Sequence, residues 1–438
     1  MRVAGIIAEY NPLHNGHLRL IEKIRDDLGG QTPVLVIMSG EFVQRGIPAI
    51  TDRTARVCAL LSCGADVVLE LPFTFATGSA DRFAKGGILS LIGSGVVTDL
   101  YFGAEHASLE DLSYIAGLDP ESDPAFLSTL ESLQKDGQPY AAAWEQALLD
   151  HIRLQKNCDR SFLDSLSVLL HQPNNILAIS YLRELKRAGS AIEPHVLLRE
   201  NPYHEENLQA GSFPSATAIR KTILEKYEQS SKGDFIRSLG DLIAFVPDVM
   251  LAEMLYQWNS GTRPMSESDL ISAALPILRA LSTTELAATA HMGEQLAGHL
   301  KSTVRTMHYD PDISAAGAFR QAASTRCFAY TRILRALSSL VIGQKDVDLV
   351  NLSAPKYLRL LGFSEKGRSV LKSMRADSAL PILSRTSDAL HFSKDPEFAR
   401  MDELDRLSHD FWTSRARGTF EEDFKREVIQ YKRGHLYR

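Results

Sequence analysis

The chain lacks the patterns that mark several large function classes. Its four cysteines (Cys58, Cys63, Cys158 and Cys327) show no CxxC spacing. That argues against a zinc site or a disulfide framework and fits a reducing cytoplasm. No apolar run approaches the length of a membrane-crossing helix, so no membrane span is expected. The opening residues carry no cleavable signal pattern, because their apolar run passes straight into polar residues. GxxxxGK[ST], GxGxxG after a first strand, HExxH and GxSxG are all missing. Neither charge sign is in large excess. With a net charge of −6, bulk electrostatics gives no hint of a nucleic-acid partner, and only a local basic patch would bind one.

What is present begins at the N-terminus. Val3 to Ala8 is an apolar run of the buried-strand type, and Leu18 to Arg25 has the spacing of an amphipathic helix. Between them His14 and His17 flank Asn15-Gly16 at a predicted helix start, where backbone N–H groups lack partners and the helix dipole is positive. Such a place attracts phosphate. Gly16 lets a phosphate approach the backbone, and Pro12 stiffens the turn that aims His14. This H-x-G-H pattern resembles the motif of the nucleotidyltransferases, whose histidines hold the phosphates around a reacting α-phosphorus.

The first half alternates strands and helices. Strands are predicted at 33–40, 65–72 and 96–103, with helices at 54–63 and 81–92 between them. Continuous apolar strands joined by helices imply an α/β fold with a parallel sheet covered on both faces. Ligands then bind beyond the strand ends. Residues of about 109–172 read as a helical insertion, followed by a helix at 174–185, a short strand at 194–199 and a helix capped by Ser215. Near 230–233 helical periodicity takes over, including a helix at 357–361. The expected domains are therefore 1–232 (α/β) and 233–438 (all-α).

Each early strand end delivers polar groups to one sheet edge. The second supplies the loop Ser39 to Gly46, read either as solvated or as functional. The third supplies Glu70, and the fourth Gly103, where a base or ribose can lie against bare backbone. Glu41 and Asp52 are further candidates for polar roles. Ser215, Thr217 and Arg220 form a second helix start that fits either a simple cap or a phosphate site.

Several segments together resemble the bacterial tRNA(Met) cytidine acetate ligase family: GIIAEYNPLHNGH, MSGEFVQRGIPAI, GADVVLELPF, FGAE, QPNNILAISYL and SATAIRK. Weaker likeness continues through RCFAYTRILR and YLRLLGFSEKG. The resemblance implies a Rossmann-like nucleotidyltransferase domain and a cytoplasmic ligase using ATP and acetate. Acetate would attack ATP to give acetyl-adenylate, whose acetyl group passes to N4 of the wobble cytidine of elongator tRNA(Met). His14 and His17 would be catalytic. The ATP site would comprise Ile7, Ala8, Glu9, Tyr10, Asn11, Pro12, Leu13, His14, Asn15, Gly16, His17, Leu18, Arg19, Leu20, Gly103, Asn174 or Asn175, and Arg199 with Glu200. Mg2+ enters only as the counter-ion of ATP, and no carboxylate cluster dedicated to it is visible.

An RNA acceptor gives the second half a purpose. Arg326, Tyr330, Arg332 and Arg335 would give one helix a basic, partly aromatic face, and Lys432 and Arg433 lie in a basic tail. Solvated charge explains these residues equally simply. Two other readings remain: a nucleotidyltransferase acting on a small phosphorylated metabolite, and a non-catalytic RNA-binding protein. The acetate pocket, the acceptor of the cytidine proton and the oligomeric state are not legible.

Overall fold

The computed structural model describes residues 1–106, 108–136, 138, 140–156, 166–199, 215–308, 314–325, 327–421, 423 and 427–437. The candidates Glu200 and Arg326 lie outside the described residues.

Five parallel strands form the heart of the molecule: β1 (Ala4–Ala8), β2 (Val34–Ser39), β3 (Val67–Leu71), β4 (Asp99–Ala104) and β5 (Glu193–Leu198). Their order is β5-β4-β1-β2-β3. Side chains alternate across the sheet as its period of two requires. Leu35, Ile37, Val67 and Leu69 enter one hydrophobic core, and Val34, Val36, Met38 and Val68 enter the other. Both faces are thus buried, as the unbroken apolar runs predicted. From β1 the chain winds outward through β2 and β3, then returns to place β4 on the other side of β1. The sheet therefore has its topological switch between β1 and β4, where open α/β sheets bind ligands.

The insertion between β4 and β5 is helical (Leu109–Gly117, Pro124–Lys135 and Tyr140–Lys156), and Pro173–Arg187 completes the crossover. Beyond 232, helices such as Asp248–Asn259, Glu267–Ala280, Gly293–Thr306 and Tyr330–Ile342 dominate.

The second half departs from the all-α expectation further on. Leu358–Ser364, expected in part as helix, is β6 and pairs antiparallel with β3. Beside β6 run β7 (Ile382–Leu383) and β8 (Ile429–Lys432), with β9 (His435–Tyr437) against β8. Leucine and arginine favour helices in isolation. Here burial on both faces decides instead: Leu358 and Leu360 enter one core and Leu361 the other. The 232/233 boundary falls in the first turn of the helix Lys232–Ser238, while strands from beyond it complete the same sheet. No described helix is long and apolar enough to cross a membrane.

An ion network joins the two halves. Arg53 Nη1 donates to Glu70 at 2.8 and 3.0 Å, and its Nη2 pairs with Asp423. Arg359 of β6 donates to Asp423 at 2.7 Å and to Asp402 at 2.6 Å. His409 Nδ1 lies 2.9 Å from Glu41 Oε1, and both belong to the buried set. Glu41 and Glu70, marked earlier as candidate polar groups, are thus occupied by structure. So is Asp52, which caps the helix Arg53–Ser62 through Ala55 N at 2.7 Å.

Removing one member of a buried charged set leaves the others uncompensated, at a cost of about 3–5 kcal/mol. Arg359→Met should lower unfolding stability by that amount, read by urea denaturation. One shared transition for probes in both halves is expected. Independent unfolding of a stable N-terminal half would contradict the single-network account.

Candidate active site

At the switch point lies a cleft of about 520 Å3. Its walls come from the β1 turn, the loop after β2, Gly103 of β4, the start of Pro173–Arg187, the end of β5, the Ser215 helix start and the helix Tyr330–Ile342.

The two histidines build the start of their own helix, Asn15–Leu28. His14 is the N-cap, and its Nδ1 accepts from Gly16 N at 3.1 Å. In return His17 Nδ1 accepts from His14 N at 3.3 Å. This is a reciprocal capping box in which imidazoles replace the usual hydroxyl and carboxylate. The rings stack with centroids 3.7 Å apart, and Tyr10 packs edge-on against His17 at 4.9 Å. Because each Nδ1 accepts from backbone, the proton of each neutral ring sits on Nε2, the donor left for a ligand.

The box corrects one expectation. The N–H groups at this helix start are not open to phosphate: Asn15 N donates to Phe245 O at 2.9 Å, Gly16 N to His14, and His17 N to His14 O at 2.9 Å. The imidazoles use up backbone donors and offer side-chain donors in their place. Burial, with Arg199 and Arg220 nearby, lowers His14 to a pKa of about 3. Burial, His14 and Arg199 hold His17 well below the ordinary imidazole value. Both rings are therefore neutral donors at physiological pH.

Positive charge comes from arginine. Arg19, Arg45, Arg199, Arg220 and Arg335 line the cleft, where Glu9 is the one carboxylate among the described residues. Arg220 donates to Asn11 O at 2.7 Å and to Thr217 Oγ1 at 3.1 Å. Burial lowers its pKa to about 10. Arg199 donates to Asn174 Oδ1 at 3.2 Å, and burial lowers its pKa as well. Its stem crosses Gly103, where a Cβ would stand 3.3 Å from Arg199 Cγ, so bare backbone here serves the arginine. Ser215 caps its helix by accepting from Ala218 N at 3.1 Å while also lining the cleft. Glu105 acts on Arg199 and Glu9 on Arg220, and arginines that outnumber the acids described beside them in low-dielectric surroundings favour a polyanion.

The expected site residues separate clearly. Ile7, Ala8, Glu9, Tyr10, Asn11, His14, Gly16, His17, Arg19 and Leu20 line the cleft, as do Gly103, Asn174, Arg199, Ser215, Thr217 and Arg220. Pro12, Leu13, Asn15, Leu18 and Asn175 do not. Leu13 and Leu18 pack into a core, and Asn15 Nδ2 donates to Ala244 O at 3.1 Å. Asn175 is fully buried, accepting from His106 N at 3.0 Å and donating to Gln172 Oε1 at 2.6 Å. The open choice between the two asparagines resolves to Asn174 as the cleft residue.

The residues expected on an RNA face scatter. Arg335 lines the cleft with Thr331. Arg332 is exposed but its Nε donates to His291 O at 3.2 Å, and Tyr330 OH pairs with Glu267. Lys432 and Arg433 belong to the β8–β9 hairpin, four strands from β1, or roughly 19 Å. Cleft residues that went unnoticed include Phe83, Leu177, Tyr181 and Thr331. Asn174, Leu177 and Tyr181 share one helix face by their spacing, which was a usable signal.

Among the described residues one trio of potential metal ligands is grouped: Asp99, Glu193 and His195. It sits at the opposite end of the strands from the cleft, and Arg2 pairs with both of its acids.

A switch-point cleft with paired histidines at a helix start defines a protein of the nucleotidyltransferase class. The family model described as HIGH Nucleotidyl Transferase matches residues 1–423. The chain is 33% identical over 420 residues to the tRNA(Met) cytidine acetate ligase of Acetivibrio thermocellus, covering 94% of each. It is 33% identical over 391 residues to the enzyme of that name from Syntrophomonas wolfei, covering 89% of this chain and 88% of the relative. The crystal structure of Thermotoga maritima TmcAL superposes with a TM-score of 0.87 at 27% identity, covering 99% of this chain and 100% of that one. A second form of that protein, bound with alpha-thio ATP, superposes with a TM-score of 0.84 at 27% identity and the same coverage. The chain belongs to the tRNA(Met) cytidine acetate ligase family within the HIGH nucleotidyl transferases.

A histidine with a folded pKa of about 3 and an ordinary value of 6.5 binds fewer protons folded than unfolded between those pH values. Stability is then fully present above about 6.5 and falls as the pH drops through that window, by up to roughly 1.4 kcal/mol per pH unit for each such group. His14→Asn should flatten the acid side of the stability–pH profile between pH 6.5 and 4, measured by urea denaturation at each pH. An unchanged slope would show that His14 titrates as if solvated.

Proposed function

We propose that the protein is an ATP-dependent ligase that acetylates N4 of the wobble cytidine of elongator tRNA(Met). The observation that carries this reading is the juxtaposition, among the described residues, of two neutral imidazole donors with five arginines and one carboxylate at the sheet's switch point. The family relationship supplies the reaction.

In the first step a carboxylate oxygen of acetate attacks the α-phosphorus of ATP. The bond to the bridging oxygen breaks, pyrophosphate leaves, and acetyl-adenylate remains. Negative charge grows on the α-phosphoryl oxygens, where Nε2–H of His14 and His17 would donate. Each well-placed donor contributes roughly 3–4 kcal/mol to such a transition state. Arg220, Ser215 and Thr217 would hold the leaving pyrophosphate, with Arg199, Asn174 and Gly103 on the nucleoside side. In the second step N4 of cytidine attacks the acetyl carbon, AMP leaves and the amine gives up a proton. Mg2+ would arrive on the triphosphate, since Glu9 is the only carboxylate lining the cleft among the described residues and its Oε1 already accepts from Gln44 N at 2.8 Å. Residues 233–438 would serve the tRNA, with exposed Arg332 and the Lys432–Arg433 hairpin offered to its backbone. A cytoplasmic setting follows from that substrate.

The test is incubation with ATP, labelled acetate and unmodified elongator tRNA(Met), followed by nucleoside analysis. Labelled N4-acetylcytidine at the wobble position is the expected product. His14→Ala or His17→Ala should cut acetate-dependent pyrophosphate release by about 100-fold or more while leaving the fold intact. Near-normal release by either variant would remove the histidines from the reaction.

A further inference from the structure

The groups assigned to the nucleotide come from β1 and the turn after it, β4, the end of β5, the helix Pro173–Arg187 and the Ser215 helix start. One wall of the cleft is left over, made of Val43, Gln44, Arg45, Thr331 and Arg335. It is built rigidly. Gly46 N donates to Val43 O at 2.8 Å, and Val43 N to Ile47 O at 3.0 Å, which closes the loop into a tight turn. Gly46 has φ +80°, and a Cβ there would stand 2.5 Å from Arg335 N, so the turn lies directly on the backbone of the arginine helix. Thr331 and Arg335 are four residues apart on that helix and share a face.

Arg335 is chemically unfinished. Its Nε is buried and has no hydrogen-bond partner among the described residues. The charge that acts on it is another arginine, Arg332, and no described carboxylate offsets it. Val43, on the same wall, is buried and apolar.

We propose that Arg335, Thr331 and Val43 form the subsite of the carboxylate co-substrate, with the Arg335 guanidinium gripping the carboxylate and Val43 facing the short alkyl end. A planar guanidinium matches a carboxylate with two parallel hydrogen bonds. A wall that pairs one cation with an apolar surface fits a molecule charged at one end and methyl at the other. Phosphate has no such apolar end. The inference rests on the acetate-ligase reading, and it moves Arg335 from RNA contact to small-molecule recognition.

The experiment measures pyrophosphate release across an acetate titration, and ATP binding by calorimetry without acetate. It compares wild type, Arg335→Ala, Arg335→Lys and Val43→Ala, each checked for folding by circular dichroism. Arg335→Ala should raise the acetate KM by about tenfold or more while the ATP Kd moves by less than about threefold. Arg335→Lys, which keeps charge but loses the planar fork, should fall between. Val43→Ala should raise kcat/KM for propionate relative to acetate by up to about tenfold. An unchanged acetate KM in both Arg335 variants of an active enzyme overturns the subsite alone. Weakened ATP binding with unchanged acetate KM reassigns Arg335 to the nucleotide phosphates, and weakened tRNA binding alone reassigns it to RNA. A wild-type protein that binds ATP yet never releases pyrophosphate with acetate overturns the ligase reading and the subsite with it.

Discussion

Taking Arg53 and Arg359 out of water costs several kcal/mol each, and the fold offsets that by converging acids from distant parts of the chain. Glu70 comes from β3, Glu41 from the loop after β2, Asp402 from the helix Pro396–Ala416, and Asp423 from beyond it. Satisfying the two guanidinium groups therefore requires β6 to lie beside β3 and the C-terminal helix to lie over both. The neighbouring Arg56 extends the lock to the site. Its Nη1 donates to Glu9 O at 3.0 Å and Ser39 O at 2.9 Å, which ties the turns after β1 and β2 together. The turns that line the cleft are thereby tied to the buried charges through Arg56, whose Nη2 also lies 3.7 Å from Glu41.

Above that base the histidine box solves a separate problem. A helix start facing a ligand must satisfy its own N–H groups when the ligand is absent. The glutamate of the usual box would cap it equally well but present negative charge to a phosphate. Imidazole accepts through Nδ1 and donates through Nε2, so one ring caps the helix and still faces an anion as a donor. Neutrality matters here, because burial and flanking arginines keep both rings uncharged and leave positive charge to groups that never titrate near neutrality.

The parallel sheet and the histidine site were legible because each is local in sequence: apolar runs of five or six residues, and two histidines between a strand and a helix. What was illegible was non-local. Tyr357 to Leu361 reads as helix by composition, yet Leu358–Ser364 is a strand because β3 leaves an edge open beside it. Arg359 in its middle gives no sign of strand until its acids are known. Asn174 and Asn175 are adjacent letters, and only the helix phase separates the cleft residue from the buried one. Arg335 sat convincingly in a basic cluster with Arg332, yet the two point to different environments, one exposed and one on the cleft wall. Its true neighbour is Gly46, nearly 300 residues earlier in the chain.

Placing Arg335 in the cleft also bears on electrostatics. The chain carries a net charge of −6, yet among the described residues five arginines and one carboxylate line this depression. Low-dielectric walls focus such a field, so anions are drawn locally against an unfavourable total. A bound triphosphate would then satisfy most of that field and repel a second anion of the same sign. A small carboxylate can enter beside it only if a further cation, outside the phosphate contacts, remains to receive it. The loop after β2 and the helix Tyr330–Ile342 line the cleft with such a cation, and β2 lies on the side of β1 away from β4 and its Gly103. The first half supplies the loop after β2 and the second half the helix Tyr330–Ile342, so both halves of the chain contribute to this wall.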